Sequence, residues 1–358
     1  MHDILSYMKL IATIKLNPTE EQANALLATL EHANEACNAI SEKAWEKQTF
    51  NRYKIQQLCY YEVKEQFKLS AQLAIRCIAK VADAYLLDKK MKRVFKQHGS
   101  IAYDDRILKY YADRSRVSIW TLEGREHIPF ECGLRQRALL QSRHGESDLV
   151  YRNGNFYLFA SCDFEELPPD EVNKYLGVDL GVVNIAVDSD GEIHTAQAIE
   201  KVRIHYATLK GSLQRHGSKN AKRKLKKLSG REKRFLKDRN HCISKHLVEK
   251  AAYTKRGIAL EKLNGIRERT TVKKSQRARH HTWSFSQLRQ FVEYKAKCFG
   301  VLIVLVNPRN TSKTCAHCGH LDKRNRKSQS HFECTSCGFV GHADVNAAEN
   351  ISALATVN

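Results

Sequence analysis

Residues 175–191 read Y-L-G-V-D-L-G-V-V-N-I-A-V-D-S-D-G, two apolar runs of strand length closed by the turn dipeptide Asp190-Gly191. An acid, Asp179, sits inside the first run. A lone carboxylate in an apolar strand is costly to bury unless it is paired or binds a metal, so this position marks the chemistry as well as the fold. Working outward on the C-terminal side, basic helical segments follow, interrupted at Gly217-Ser218 and near Ser229-Gly230, with Leu225, Leu228, Leu236, Ile243 and Leu247 as their apolar side. A second apolar strand, Gly257 to Leu260, ends at Glu261. An amphipathic helix from Trp283 to Phe299 and a strand from Val301 to Val306 come next. Alternation of strands and helices makes this half α/β.

On the N-terminal side, residues 8–16 place Leu10, Ala12, Ile14 and Leu16 at period two, which predicts a half-buried strand. A second Met, Met8, opens this segment, so residues 1–7 read as a loose leader or an upstream start. Asn17 as a cap, Pro18 at the first helical position and Glu20 three residues after Asn17 predict a helix start. Its inward stripe is Leu26, Leu27, Leu30, Ala33, Cys37, Ile40 and Ala44. Further helices are expected from Lys54 to Gln66 and from Ser70 to Lys96. From Ser100 to Phe164 the period returns to two, with S-I-A-Y, R-V-S-I-W and H-I-P-F as strands and Asn153-Gly154 as a type I′ hairpin turn. The expectation is a small β-barrel carrying a helical block between its first two strands. The paired Pro168-Pro169 marks the linker to the second half.

At 358 residues the chain suits two lobes, and 42% hydrophobic with 28% charged residues is the balance of a globular protein. No apolar run approaches a membrane span. The opening M-H-D-I-L-S-Y-M-K-L lacks a charged segment followed by a long apolar one, so a cytoplasmic, nucleoid-associated location in a prokaryote is expected. The formal net charge of +21 suits a polyanionic partner. It is concentrated: Lys201 to Asn240 holds 15 Lys and Arg against two acids, Glu232 and Asp238. That stretch reads as a nucleic-acid backbone-binding face.

Eleven cysteines in a chain without secretion signals argue for buried or metal-bound thiols rather than disulfides. Cys37, Cys59, Cys77, Cys132, Cys162, Cys242 and Cys298 are single and read as small core residues. The other four form C-A-H-C at Cys315 to Cys318 and C-T-S-C at Cys334 to Cys337, the spacing of a zinc ribbon. Four thiolates close a tetrahedron, so one structural zinc is expected on Cys315, Cys318, Cys334 and Cys337. His317 and His320 are alternative ligands, phosphate contacts or bystanders. Asp179, Glu261 and Asp344, the last opening a helix after the ribbon, are candidates to converge on two Mg²⁺ ions. Each acid taken alone also suits a turn cap or an Arg partner.

The strings G-V-D-L-G-V-V-N-I-A-V, L-E-K-L-N-G-I, T-S-K-T-C-A-H-C-G-H, F-E-C-T-S-C-G-F and H-A-D-V-N-A-A-E-N-I resemble the split RuvC nuclease core of the transposon-encoded TnpB family, a core that type V CRISPR effectors share. M-K-L-I-A-T-I-K-L-N-P-T-E-E-Q and N-H-C-I-S-K-H-L-V extend the likeness to nearly the whole chain. The resemblance implies a β-barrel wedge domain (1–17 and 97–166), a helical recognition domain (18–96), an RNase H-like RuvC domain (172–312 and 341–358) and an inserted zinc ribbon (313–340). It implies Asp179, Glu261 and Asp344 as the catalytic carboxylates on magnesium. It also implies a guide RNA, a double-stranded DNA target and a short target-adjacent motif read by the first lobe, with one protein copy per guide RNA or a dimer. Arg267, Arg269, Lys273, Lys274, Arg277 and Arg279 are expected in a basic loop that either helps load a single strand into the cut site or is simply a disordered, solvated loop. Arg309, Asn346 and Asn350 lie close enough in sequence to the motifs to orient phosphate or the carboxylates, with surface or helix-packing roles as the alternative.

The implied activity is RNA-guided DNA hydrolysis. A guide-dependent repressor without cleavage uses the same fold and charge, but normally lacks one of the acids. A transposase joining strands directly is set against by the ribbon between Glu261 and Asp344. A zinc-ribbon regulator leaves the acidic strands unexplained.

Overall fold

The computed structural model describes residues 6–262 and 285–356. The chain divides into two compact units between Glu165 and Glu166. Among the described residues no helix is long and apolar enough to cross a membrane.

The first unit runs β1 (Tyr7–Leu16), α1 (Glu20–Glu46), α2 (Arg52–Gln66), α3 (Ala71–Leu87), β2 (Ile101–Tyr103), β3 (Leu108–Tyr111), β4 (Arg116–Thr121), β5 (Gly124–Glu131), α4 (Leu134–Leu140), β6 (Arg143–Arg152) and β7 (Asn155–Glu165). Its seven strands form one sheet in the order β2-β6-β7-β1-β5-β4-β3. β1 lies along the whole of β7 but pairs with β5 only at Lys15 and Leu16. The expected barrel is therefore not closed. Its end strands β2 and β3 share no ladder, although only residues 104–107 separate them, so the sheet curls back to within one short connection of itself. α1 and α3 pack on this sheet through one continuous core that includes Ile14, Leu30, Cys37, Cys77, Ile78 and Leu158.

Three local expectations change. The cap of α1 is Thr19, not Asn17: its Oγ1 accepts from the Gln22 N–H at 3.3 Å, and the Gln22 Oε1 accepts from the Thr19 N–H at 3.2 Å. The Asn17 N–H is already taken by the Pro129 carbonyl of the sheet, so the helix waits for the next residue able to close a capping box. Thr19→Ala is expected to lower stability by about 1 kcal/mol in denaturant unfolding. Helix α3 ends at Leu87 rather than Lys96. Beyond it the chain turns back over α1, where Asn38 holds both backbone groups of Phe95 and the Ser41 hydroxyl donates to the Arg93 carbonyl. Short β3 and α4 were not foreseen. The hairpin at Asn153 and Gly154 is present, with φ of +51° and +79°.

The second unit holds β8 (Tyr175–Asp179), β9 (Asn184–Asp188), β10 (Ile193–Thr195), α5 (Gln197–His216), α6 (Lys219–Leu228), α7 (Arg231–Tyr253), β11 (Gly257–Glu261), α8 (Phe285–Phe299), β12 (Ile303–Val306), β13 (His331–Glu333), β14 (Val340–His342) and α9 (Ala343–Thr356). Five strands form a mixed sheet, β10-β9-β8-β11-β12. β8, β11 and β12 are parallel; β9 and β10 run antiparallel to their neighbours. The breaks between α5, α6 and α7 fall where Gly217-Ser218 and Ser229-Gly230 placed them. Of their apolar side only Ile243 and Leu247 are fully buried.

Period two sorts the sheet's residues. Leu176 and Val178 of β8 and Ile258 and Leu260 of β11 pack with Leu247, Val248, Leu288 and Val292 from α7 and α8. The alternate residues belong to the other face, where Ala259 meets Ile351 and Ala355 of α9. Asp179 and Glu261 share that second face. Gly177 does too, and a Cβ there would stand 2.0 Å from the Ala348 carbonyl oxygen, so only glycine lets α9 approach this closely. Gly177→Ala is expected to destabilise the second unit by about 3 kcal/mol through overpacking, measurable as a lower denaturation midpoint.

Candidate nuclease and zinc site

The close approach at Gly177 decides where Asp344 falls. The Ser352 hydroxyl donates to the Tyr175 carbonyl at 2.6 Å, and Ala348 lies over Gly177, so α9 runs antiparallel to β8. Four helical residues rise about 6 Å, much as two strand residues do. Asp344, four before Ala348, therefore arrives beside Asp179, two after Gly177. Glu261 ends the neighbouring parallel strand, one position beyond the Leu260–Val178 pair. The C-terminal edge of a parallel sheet is the usual place for a site in an open α/β fold.

Asp179 feels both of the other acids. Burial chiefly, then the charges of Glu261 and Asp344, push the Asp179 carboxyl up to about 7. Burial also raises Glu261, against a hydrogen bond from the Thr311 hydroxyl at 2.6 Å that favours its charged form. Asp344 is only 3% exposed. Its Oδ2 accepts from the Asn184 amide at 2.9 Å and its Oδ1 from the Arg326 guanidinium at 2.7 Å. Oxygens of all three acids do not come mutually within 4.8 Å. The donor set is hard oxygen and electrostatically short of cations, which fits magnesium; the guanidinium of Arg326 supplies part of that missing charge.

The four cysteines converge. Cys315 and Cys337 sulfurs lie 3.8 Å apart and those of Cys318 and Cys334 3.6 Å. Zinc at about 2.3 Å from each sulfur requires an S···S distance near 3.8 Å, which these two pairs match, and all four sulfurs lie within 4.8 Å of one another. The two knuckles are built alike. Cys315 accepts from the Gly319 N–H and donates to His320, while Cys334 accepts from the Gly338 N–H and donates to Phe339, all through the backbone. Gly319 and Gly338 take φ of +76° and +73°, values that L side chains rarely adopt. Backbone N–H groups of Cys337 and Ser336 aimed at the Cys334 sulfur hold its thiol down to about 6. His317 stacks on Phe339 instead of joining the sulfurs.

Asn346 and Asn350 tie the ribbon to the acids. Asn346 receives the Ala316 N–H and donates to the Thr314 carbonyl, and Asn350 donates to the carbonyls of Thr311 and Thr314. They fix residues 311–316, which carry both Thr311 and the first knuckle, against α9. Arg309 is exposed, and its own N–H bonds the Asn307 side chain. Arg326, Thr311 and Asn184 went unnoticed in the sequence. Asn184 stands inside the diagnostic G-V-D-L-G-V-V-N string, and Arg326 lies in a basic run that resembles a solvated charge cluster. Arg267, Arg269, Lys273, Lys274, Arg277 and Arg279 lie outside the described residues. Lys222, Arg223, Lys224, Lys226 and Lys227 on α6 are exposed. Among the single cysteines, Cys37, Cys59, Cys77 and Cys162 are buried, Cys132 and Cys298 are half-buried, and Cys242 is exposed, contrary to its expected core role.

A family model described as "Cas12f1-like, TNB domain" matches residues 285–351, and one described as "Probable transposase" matches residues 159–265. The TnpB-like protein MJ0751 of Methanocaldococcus jannaschii is 35% identical over 223 residues, which cover 56% of this chain and 79% of that protein. The CRISPR-associated endodeoxyribonuclease Cas12f1 of Sulfoacidibacillus thermotolerans is 31% identical over 221 residues, 56% of this chain; the match spans half of that longer protein, 50%. A cryo-EM structure of a Cas12f1–sgRNA–target DNA complex aligns at a TM-score of 0.60 over 93% of this chain and 83% of that one, at 17% identity, a likeness of fold. With these matches falling on the segments that carry the acids and the cysteines, the chain belongs to the TnpB family, relatives of the type V CRISPR effectors.

Proposed function

We propose that this protein is an RNA-guided DNA endonuclease whose second unit is a RuvC-type, RNase H-like nuclease core with an inserted zinc ribbon. The observation that carries the reading is the meeting of Asp179, Glu261 and Asp344 on one face, at one end of the mixed sheet. It is supported by the relative named an endodeoxyribonuclease and by the likeness of fold to a chain solved with guide RNA and target DNA. In this reading residues 1–17 and 97–166 form the wedge, 18–96 the recognition helices, 172–312 and 341–358 the nuclease core, and 313–340 the ribbon.

Asp179, Glu261 and Asp344 would hold two Mg²⁺ ions, which when bound supply an activated water and a counter-charge for the leaving oxygen of a phosphodiester. The chain's own residues do the positioning. Thr311 fixes one oxygen of Glu261, and Asn184 fixes one of Asp344. Arg326 neutralises the other Asp344 oxygen and would offer its guanidinium to a scissile phosphate. Exposed lysines and arginines of α5, α6 and α7 would hold the nucleic-acid backbone. One protein copy acts per guide RNA, or two as a dimer, within the cytoplasm of its host.

The test is a plasmid library with randomised flanks, incubated with Mg²⁺ and protein co-expressed with the RNA encoded beside its gene. Cleavage next to one short motif supports the reading; guided binding with no cleavage replaces it with a repressor. Since each phosphate contact releases counterions, removing two of the α6 lysines is expected to reduce the log–log salt slope of DNA binding by about 1.8.

A further inference from the structure

Apart from the four cysteines, the described residues draw one other set of ligating side chains together: Glu192, His194 and His246. Glu192 and His194 flank Ile193 at the start of β10, so period two puts them on the same side of the strand. His246 comes from α7, in a different part of the sequence. Its Nε2 lies 2.8 Å from Glu192 Oε1 and 2.9 Å from Oε2, and the Nε2 of His194 lies 3.9 Å from Oε1. The two imidazoles stand edge to face with centroids 5.4 Å apart. Ligands bound tetrahedrally to zinc at about 2.0–2.1 Å sit roughly 3.4 Å from one another. The two spacings to Oε1 bracket that value, so an ion needs only a small side-chain shift.

An ion pair between His246 and Glu192 accounts for their contact but not for His194. The Nε2 of His194 is buried without a hydrogen-bond partner, in the same gap, where a buried polar nitrogen ordinarily finds one. The nearby cation does not fill this role. Lys250 reaches Glu192 through Oε2 at 3.3 Å, an oxygen it shares with His246, and is held as well by Asp188 and Asp190, while Oε1 faces both rings. We propose that Glu192, His194 and His246 form a third metal site, separate from the four cysteines and from Asp179, Glu261 and Asp344, for a divalent transition-metal ion of the zinc class. Two imidazoles and one carboxylate suit zinc and its neighbours rather than magnesium. Three protein ligands leave a coordination position open to water. An ion held there staples the outer strand of the mixed sheet to α7, the helix that continues the basic segment.

The test uses full-length protein with its cysteine site loaded, dialysed against graded Zn²⁺ and assayed for zinc by mass spectrometry. His194→Gln/His246→Gln is compared with wild type, as is the single His246→Gln, whose exposed side chain can change without disturbing the core. Wild type is expected to take up one more zinc per chain than either variant. Glu192→Gln is expected to weaken that uptake at least about tenfold, and excess Mg²⁺ is expected not to compete. X-ray absorption of the added zinc should show nitrogen and oxygen neighbours and no added sulfur. Equal uptake by wild type and both histidine variants, or no uptake beyond the cysteine site in wild type, overturns the proposal.

Discussion

Asp179→Ala is expected to lower target cleavage at least about 10³-fold while guide-RNA and DNA binding change by less than about twofold, a loss of roughly 4 kcal/mol confined to the chemical step. The separation follows from where the residue sits. Asp179 lies at the end of β8 among the other acids, while the exposed cations are spread over α5, α6 and α7. Comparable losses of binding and cleavage would place the residue in nucleic-acid binding or in the fold itself. The same carboxyl also opposes folding when no divalent metal is present. Burial first, then its two acidic neighbours, raise it from 3.8 to about 7, so between those values the folded chain binds the proton that the unfolded chain has released. Stability therefore falls as pH rises through that window and is level outside it. The full shift corresponds to at most about 4 kcal/mol. In chelated protein, Asp179→Asn is expected to be more stable than wild type by about 2–4 kcal/mol at pH 8 and no more stable at pH 3.5, as read from urea transitions. Equal stabilities at pH 8 would show that neither burial nor the neighbouring acids penalise the charged Asp179 carboxyl.

The parts of this site that were legible in the sequence have a local cause. A knuckle needs two sulfurs and a glycine within five residues, so C-A-H-C-G and C-T-S-C-G announce themselves, and both glycines take the positive φ the turn requires. An acid at the end of an apolar strand is equally local, and Asp179 and Glu261 stand where the pattern put them. Their meeting was less visible, because it depends on Gly177 admitting α9 to within backbone contact. Nothing in the periodicity distinguishes that glycine from a turn residue. Arg326 and Thr311 were invisible for the same reason. Each reaches its acid across a long sequence separation, Thr311 to Glu261 and Arg326 to Asp344, and neither interrupts a hydrophobic pattern. In the first unit the misplaced boundaries share another cause. Asn17 has cap chemistry, yet the sheet had already claimed its N–H; residues after Leu87 have helical composition, yet Asn38 and Ser41 hold them against α1. Tertiary hydrogen bonds overrode local propensity in both places.

Zinc removal is expected to unfold the ribbon and, through it, silence the carboxylate site while leaving the rest of the chain folded. The ribbon has little else to hold it. Its buried apolar groups are Phe332 and the two cysteines Cys315 and Cys334, joined by Ala343 from α9 and a half-buried Phe339. Full burial of a side chain of that size contributes about 1.5–3 kcal/mol, against about 1–2 kcal/mol of backbone entropy for every residue ordered. Residues 313–340 cannot balance that cost without the roughly 10–16 kcal/mol that a structural zinc site supplies. Cys315→Ser/Cys334→Ser is thus expected to lose the ion and to expose 313–340 to rapid amide exchange and to proteolysis. Strands β8 and β11, held by α7 and α8, stay protected. Arg326 leaves Asp344 with the ribbon, whereas Asn350 of α9 still holds the carbonyls of Thr311 and Thr314, so the loss falls on Asp344 rather than on Glu261. Cleavage should then fall by at least about 10²-fold, while binding of nucleic acid to the exposed cations of α6 persists. The discriminating control is Arg326→Ala in the zinc-loaded protein. If it matches the cysteine variant in cleavage while its ribbon stays protected, the ribbon acts through this one guanidinium; full cleavage by a metal-free, unfolded ribbon would remove it from the mechanism altogether.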